Sequence, residues 1–586
     1  MKSRTSFFNP TVFKKNLTRF APVWVLYSLM LLMVLTALLD MGTPYHRSLN
    51  LVDAITAFAL VNLCYALVNV QLLFGDLYNA RLCNALHAMP LTRECWFFTN
   101  IASALVFTLV PNAVFSLMVM PMLGSAWSLG LWFFLGTTLQ YLFFLGTAAF
   151  SAMLSGNRFA QVLLYGLINF LSLLFYWFAC TLYEPLMYGV SINAEDFTIW
   201  CPVYTMAESY DLIDVIRTEI ALPDGSFDYP GTVAEILFDS GSWWYLVICT
   251  AIGIALGAAA LALYRRRALE AAGDFIAVKA VEPVFLVLFT LGVGAFFQLF
   301  GRSVGNTMEE YLFLVLGLVV GYFTGRMLIL RTTRVFQKKS FLGLGAIAAV
   351  LVLSIVLFAM DAFGIVRHVP KQEDVKSISF SNAHYHHQVI EVTDPAGMNT
   401  IQDIHRYAVE NIPEGWNATY PTNDYYNGIY YTTLYLTYEF EDGSHMERRY
   451  SIPVESEPGQ ILKEYYTDVE YILGTKESEL GLLADQIYNI HVEGESFSRD
   501  NHPEFFEDGS AEELLRAIAA DCKTGNMIQD WGYHGTDESR VYIEFEVHYA
   551  VKYNDWMGLY IYDSCSNTLS WLEDHGFEFG EGLYGG

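Results

Sequence analysis

The chain has 586 residues, of which 54% are hydrophobic and only 16% are charged, so an ordinary soluble enzyme of this size is not expected. It carries 61 acidic and 33 basic residues, which argues against a basic nucleic-acid-binding surface. Aromatic residues make up 16% of the chain, which argues against low-complexity disorder.

The excess of acidic residues is confined to the end of the chain. From Arg367 onward there are 40 acidic and 13 basic residues, whereas the preceding residues include 21 acidic and 20 basic ones. An acidic region that follows a nearly neutral, apolar one is typical of a membrane protein with one water-exposed domain.

Nine apolar runs are long enough to cross a hydrocarbon core about 30 Å thick, which needs roughly 20 helical residues. The runs are residues 21–39, 54–75, 101–123, 127–154, 159–182, 243–264, 283–300, 311–330 and 341–360. The sequence therefore predicts a polytopic α-helical membrane protein with about nine transmembrane helices.

Lysine and arginine residues predict the orientation, because positively charged short loops stay on the cytoplasmic side. With a cytoplasmic N-terminus, 17 of the 20 basic residues before Arg367 fall in cytoplasmic segments, and the outer side keeps only Arg47, Arg217 and Arg302. The 183–242 loop, on the outer side, contains 11 acidic residues. We therefore expect localisation in the cell membrane, with a cytoplasmic N-terminus and an extracytoplasmic C-terminal domain.

Apolar residues in the outer loop predict a helix that lies on the membrane surface. These residues are Leu212, Ile213, Val215, Ile216 and Ile220.

The last 220 residues have the pattern of an α+β domain. Strand-like runs at 375–380, 430–440 and 542–549 alternate with helical runs at 401–412 and 511–522. A helix, a long strand pair and a second helix recur about 110 residues apart, which favours an internal duplication. Asp442-Gly443 predicts a hairpin turn, because glycine tolerates positive φ. A disulfide between Cys522 and Cys565 stays open.

Catalytic and metal-binding motifs are absent from the sequence. It contains no phosphate-binding loop, no His-Glu-x-x-His motif and no Gly-x-Ser-x-Gly motif, so we expect neither an enzyme nor a cofactor. His384, His386 and His387 form a histidine cluster in which His384 and His386 would share one face of a strand, but no third metal ligand is evident, so no metal site is expected. The apolar runs contain polar residues that we expect to form interhelical hydrogen bonds: Asn62, Asn69, Gln71, Asn112, Gln140, Gln161 and Asn169.

The segment after the second apolar run predicts a short amphipathic helix beneath the membrane. Leu82, Leu86 and Met89 repeat at helical spacing, and Pro90 ends the helix. From composition alone, this segment could simply rest on the lipid.

Residues 86–93, Leu-His-Ala-Met-Pro-Leu-Thr-Arg, resemble the Leu-x-x-Leu-Pro-Leu/Ile-Thr/Ser-Arg segment of ABC-2-type transporter permeases. In that family the segment forms the coupling helix that contacts the ATPase. The resemblance implies a coupling segment in this chain made of Leu82, Leu86, Met89, Pro90, Leu91, Thr92 and Arg93. Met89 replaces the commoner leucine, a change that conserves volume.

The same resemblance extends over residues 1 to about 267. It includes an amphipathic interface helix at 9–20, six crossings and a long outer loop before the sixth crossing. The implied organisation is a six-helix permease unit at 1–282 with its outer loop at 183–242, three additional helices at 283–366 and the acidic domain at 367–586. The additional parts look like those of larger Gram-positive permeases with an extracytoplasmic C-terminal domain.

The resemblance implies the membrane subunit of an ATP-binding-cassette exporter of an amphiphilic, peptide or lipid-like substrate. The partners that it implies are the lipid bilayer, an ABC ATPase in trans and a second permease subunit in a homodimer or heterodimer. A nucleic acid is not an expected partner. Leu86 and Met89 are then the expected anchors in the ATPase, with Arg93 at the rim or near lipid headgroups. The alternative is a membrane-anchored extracytoplasmic sensor or envelope-binding protein without transport activity.

Overall fold

The structure is a computed structural model that describes residues 7–41, 44–192, 201–207, 213–221, 227–236, 242–304, 307–382, 389–412, 429–492, 495–498, 506, 509–529, 539–549 and 552–577. The chain forms two compact units. The first, the helical unit, comprises Met1–Ala179 and Ala194–Val352, and the second, the C-terminal unit, comprises Cys180–Asn193 and Leu353–Gly586.

Helices dominate the first part of the chain. In chain order they are α1 (Pro10–Arg19), α2 (Ala21–Asp40), α3 (Pro44–Leu73), α4 (Ala80–His87), α5 (Arg93–Val119), α6 (Ser128–Leu154), α7 (Arg158–Asn169), α8 (Leu171–Phe178), α9 (Pro202–Ala207), α10 (Ser242–Arg266), α11 (Glu282–Val304), α12 (Thr307–Leu330) and α13 (Lys338–Ala359).

Eight helices in the described part of the chain are long and apolar enough to cross a membrane. They are α2, α3, α5, α6, α10, α11, α12 and α13, some with a short helical extension. The predicted run 159–182 differs from the others, because it is divided into α7 and α8, which meet at an angle of 59°. Within the described residues there are therefore eight candidate spans, or nine if this bent pair is a single span.

The centre of the helical unit is α6, which packs against α3, α5, α7 and α10. Two glycines allow α6 and α10 to touch through their backbones. A Cβ atom added to Gly146 would lie 1.9 Å from the carbonyl oxygen of Gly253, and one added to Gly253 would lie 2.4 Å from the Cα atom of Phe143. Such small residues permit the close approach that helices use in membranes.

The predicted surface helix in the 183–242 loop is wrong. Ile213–Ala221 forms a strand, β1, that pairs in antiparallel fashion with β2 (Phe227–Ile236). Five of the nine residues of β1 are β-branched, a composition that favours an extended backbone. Leu212 lies outside the described residues.

The C-terminal unit contains two four-stranded antiparallel sheets. Its elements are β3 (Val375–Ser381), β4 (Ile390–Val392), α14 (Pro395–Glu410), β5 (Tyr431–Phe440), β6 (His445–Pro453), α15 (Glu457–Tyr466), α16 (Val469–Leu473), α17 (Leu480–Gln486), β7 (Ile487–Val492), β8 (Glu495–Ser498), α18 (Ser510–Lys523), β9 (Ser539–Tyr549), β10 (Lys552–Tyr562) and α19 (Ser566–Asp574).

The two sheets have the same connectivity. Their strand orders are β4-β3-β5-β6 and β8-β7-β9-β10. In each half, two strands precede a helix, two longer strands and a second helix, and equivalent elements lie about 110 residues apart. One hydrophobic cluster runs through both halves, from Ile378 and Leu434 in the first to Ile490 and Phe545 in the second.

Three local features of this unit bear on the sequence predictions. The α+β architecture is present, and Gly443 adopts a φ of +80° in the turn that joins β5 to β6. Cys522 and Cys565 are both buried and are not joined by a disulfide. Next to Cys522, Asp521 accepts hydrogen bonds from the backbone N–H groups of Asn567 and Thr568 at the start of α19.

Candidate functional site

The segment that resembles a coupling helix begins directly after the second candidate span. Asn79 caps α4, because its Oδ1 accepts from the backbone N–H groups of Arg81 and Leu82. The helix ends at His87, and Pro90 follows in a tight turn in which the Leu91 N–H donates to the Met89 carbonyl at 2.7 Å. The segment therefore folds as the sequence predicts, as a short helix between two longer ones.

The side chains of α4 divide into a buried and an exposed face. Cys83 and Leu86 are buried, with Leu86 only 8% exposed. Leu82, on α4, and Met89, in the turn that follows α4, are 50% and 51% exposed. Burial raises the pKa of the Cys83 thiol, so this side chain is a neutral packing residue. Leu86 thus packs within its own chain, unlike the exposed anchor that the sequence predicted.

Arg93 is half-buried and contacts the end of α10. Its Nη1 lies 2.9, 3.0 and 2.8 Å from the carbonyl oxygens of Tyr264, Arg265 and Arg267, at the end of α10. The last carbonyls of a helix have no partner within the helix and carry partial negative charge, so a guanidinium is well suited to cap them. Arg93 therefore joins the start of α5 to the end of α10, and its expected place at the rim of an ATPase contact stays a prediction.

His87 and Glu94 add further contacts between the same two regions. The His87 ring lies against the Tyr264 ring with centres 5.9 Å apart, and its Nδ1 lies 2.8 Å from the Cys83 carbonyl oxygen. Glu94 forms an ion pair with Arg265, in which its Oε1 lies 2.7 Å from the Arg265 Nη2. The coupling-like segment is thus held to the end of α10 by several contacts.

Arg267 ties the same region to the central helix α6. Its Nη1 donates to the carbonyl oxygens of Ala152 and Met153 at 2.9 and 3.2 Å, at the end of α6. The side chain is buried, which lowers the pKa of its guanidinium, and its Nη2 makes no hydrogen bond within the described part of the chain. In the sequence, Arg267 is one of three consecutive arginines after the sixth apolar run. They predicted the orientation of the chain but not this contact with α6.

The base-rich connections of the helical unit lie at one end of it. The segment with Arg93 contacts the end of α10, and the Gln71 side chain donates to the Arg158 carbonyl oxygen at 3.1 Å. Asn157 donates to the Asp274 carbonyl oxygen, and the Asp274 carboxylate pairs with Arg331 at 3.5 Å. Segments that the charge pattern assigns to one side of the membrane are therefore in mutual contact.

Most of the polar side chains inside the spans form the predicted interhelical hydrogen bonds, but the Asn169 side chain donates to the Tyr165 carbonyl oxygen within α7. Asn112 accepts from the Tyr27 hydroxyl at 2.9 Å and donates to the Thr137 hydroxyl at 3.1 Å. Asn62 donates to the Gln140 Oε1 at 3.1 Å. Further bonds join α3 to α5 and α6: Asn69 to Tyr141 and Tyr65 to the Phe107 carbonyl oxygen. The last bond satisfies a carbonyl that Pro111 leaves without a partner in α5.

The described residues include no group of three side chains that could hold a metal ion. His384, His386 and His387 lie outside these residues. Comparison of the chain with protein-family models, with curated proteins and with solved structures finds no match. The resemblance to ABC-2-type permeases is therefore carried by the quoted residues alone.

Proposed function

We propose that this chain is the membrane-embedded permease subunit of an ATP-binding-cassette exporter for an amphiphilic, peptide or lipid-like substrate. ATP hydrolysis takes place in a separate ATPase subunit, and two permease subunits form the working transporter. The N-terminus is cytoplasmic and the C-terminal domain lies on the other side of the cell membrane. This orientation is supported by the positions of the basic residues and by the contacts that join their segments.

The observation that carries the proposal is that the α4 segment exposes apolar side chains and is also fixed to the end of α10. It presents two half-exposed apolar side chains to solvent, Leu82 on α4 and Met89 in the turn that follows. Its inner side is fixed through His87 and Arg93 to the end of α10. A partner that moves Leu82 and Met89 would therefore also move the end of α10. A coupling element has to transmit movement to the transmembrane helices in this way.

The proposed contact differs from the sequence prediction in one residue. Leu86 is already buried, so a partner can use Leu82 and Met89 as apolar anchors instead. Because each side chain is already half-buried, burying the rest of it contributes roughly 1 kcal/mol.

The experiment compares two doubly charged variants of the tagged chain, purified from its host membranes with bound subunits identified by mass spectrometry. The Leu82→Asp/Met89→Asp variant places charge in the proposed contact, so an ABC ATPase should no longer co-purify. The matched control, Asn84→Asp/Ala88→Asp, adds the same charge at two other exposed positions of this segment and should retain the ATPase. Equal recovery of the ATPase with both variants, or its absence from the unmodified chain, contradicts the proposal.

A second candidate function, an extracytoplasmic sensor or binding protein, is favoured by one feature of the C-terminal unit. A cavity of about 610 Å³ is lined by apolar residues such as Leu186, Val366 and Val409, together with two basic and two acidic residues, Arg367, Arg406, Asp361 and Glu410. This combination suits an amphiphilic ligand. Binding of such a ligand to a chain that never co-purifies with an ATPase would favour this function over transport.

A further inference from the structure

An apolar groove of about 350 Å³ lies between α2 and α5. Its walls are hydrocarbon, with Leu32 and Leu35 on α2 and Val110 and Val114 on α5. The two polar groups in the wall are satisfied locally. The Ser28 hydroxyl donates to the Trp24 carbonyl oxygen at 2.8 Å, and the Trp24 indole donates to the Leu17 carbonyl oxygen at 3.1 Å. A site of this kind offers no hydrogen bond to water and fits an apolar occupant.

The groove is open on the side of α2 and α5 that faces away from the rest of the unit. Leu32, Val110 and Val114 are 49%, 54% and 53% exposed. Both helices are candidate membrane spans, so the surroundings of this opening are lipid chains when the chain is embedded. The occupant that these surroundings supply is an acyl chain.

The amphipathic helix α1 closes one end of the groove through Leu17. Its neighbour Asn16 is buried and fixes α1 to α5, because its Nδ2 donates to Asn100 Oδ1 at 3.0 Å and to Ser103 Oγ at 3.1 Å. The position of α1 at the mouth of the groove is thus set by specific hydrogen bonds.

Three exposed basic residues lie on α1, namely Lys14, Lys15 and Arg19, and α1 contains no acidic residue. Lys14 precedes Leu17 by three residues, so the two side chains lie on the same face of the helix, whereas Lys15 and Arg19 project from the opposite face. The helix that ends the groove therefore carries three positive charges and no negative one, which is the arrangement that a lipid with an anionic headgroup matches.

We propose that this groove is a binding site for an anionic phospholipid, with one acyl chain between α2 and α5 and the headgroup phosphate at the basic residues of α1. The proposal rests on the membrane embedding stated above, but it is independent of the ATPase. The lipid belongs to the leaflet in which α1 lies. It fills a groove that would otherwise leave two spans poorly packed, and so it stabilises the contact of α1 and α2 with α5.

The test uses the full chain, purified without an ATPase and reconstituted in phosphatidylcholine nanodiscs. A minor fraction of the lipid carries brominated acyl chains, either as phosphatidylglycerol or as phosphatidylcholine, and quenching of Trp24 is taken as the difference from a Trp24→Phe variant. Brominated phosphatidylglycerol should quench Trp24 more strongly at equal mole fraction. Replacing Lys14, Lys15 and Arg19 by glutamine should reduce the preference for phosphatidylglycerol over phosphatidylcholine by up to about fivefold for each base. Lys339→Gln should leave this preference unchanged.

Two further variants separate the groove from ordinary surrounding lipid. Val110→Phe/Val114→Phe fills the groove and should abolish the difference between the two brominated lipids. Leu117→Phe adds a ring to α5 at a residue that is 68% exposed and outside the groove, and should preserve the difference. Equal quenching by both lipids in the unmodified chain, or a preference that survives in the groove-filled variant, overturns the lipid site. Absence of quenching of every tryptophan overturns the membrane embedding as well.

Discussion

Arg93 and Tyr264 connect two helices that are far apart in the sequence. The Arg93 Nη1 donates to the Tyr264 carbonyl oxygen at 2.9 Å, and the guanidinium carbon lies 5.9 Å from the centre of the Tyr264 ring. The two residues are 171 positions apart in the chain. This contact fixes the segment around α4 to the end of α10. Its removal should lower the stability of the helical unit.

Arg93→Gln should destabilise the helical unit. The variant loses charge-assisted hydrogen bonds to three carbonyl groups, and such bonds contribute about 1.5–3 kcal/mol each when measured singly. We expect a total loss of roughly 3 kcal/mol, because the three acceptors share one nitrogen. Thermal unfolding of the purified chain in detergent measures this change. Arg81→Gln, on the exposed face of α4, is the control and should leave the midpoint within the error of the measurement.

A larger residue at the crossing of α6 and α10 should separate these helices. Gly253→Val places a branched side chain where even one Cβ atom would lie 2.4 Å from the Cα atom of Phe143. Because the obstructing atoms are backbone, a side-chain rotation cannot relieve the contact. We expect little folded protein after membrane extraction and size-exclusion chromatography. Gly166→Val is the matched control, since no atom lies within 4 Å of its added Cβ, and normal recovery of both variants would refute this packing argument.

The apolar runs and the helix and strand periods of the sequence were sufficient to place most elements. They were not sufficient to assign contacts. The buried position of Leu86 depends on how α4 rotates against the end of α10, and the spacing of Leu82, Leu86 and Met89 is the same for either rotation. Similarly, the basic residues after α10 report the side of the membrane, but only the folded chain brings Arg267 to the carbonyl groups of α6.

The outer loop shows a second limit of the sequence pattern. Ile213, Val215 and Ile216 fit both a helical and an extended period, so the partner strand decided between them. Residues 187–190, in the same predicted loop, belong instead to the C-terminal unit. The Gly189 carbonyl oxygen accepts from the Arg449 N–H at 2.9 Å, along the edge strand β6. A pairing of segments about 260 residues apart has no local signature.

Residues 183–192 should therefore stabilise the C-terminal domain. A fragment that begins at His368 lacks Met187 and Tyr188, which belong to the domain's hydrophobic cluster. Joining residues 183–192 to this fragment through a flexible linker should raise its free energy of unfolding in urea by roughly 2 kcal/mol, by burial of these side chains and by covering an edge strand. The same linked fragment with Gly189→Ala should lose the gain, because an added Cβ would lie 1.9 Å from the Tyr450 ring. No difference between the linked and unlinked fragments would contradict this role.

The last prediction concerns His405, which is fully buried on α14 between two tyrosines. Its Nδ1 lies 2.8 Å from the Tyr438 hydroxyl and its Nε2 lies 2.7 Å from the Tyr450 hydroxyl. Burial, together with the positive charge of Arg448, lowers its pKa to about 3. The imidazole is therefore neutral, so it donates to one hydroxyl and accepts from the other.

The C-terminal domain should therefore lose stability as the pH falls below about 6.5, because only the unfolded chain then binds a proton at His405. Between pH 7 and pH 5 this linkage amounts to roughly 2 kcal/mol, and it continues until the pH reaches the folded-state pKa. Urea unfolding of the linked fragment at several pH values measures the effect. His405→Gln should be less stable at pH 7 but should show a smaller loss between pH 7 and pH 5, whereas His445→Gln, at an exposed position of β6, should follow the unmodified domain. An unchanged pH dependence in His405→Gln would show that another group is responsible.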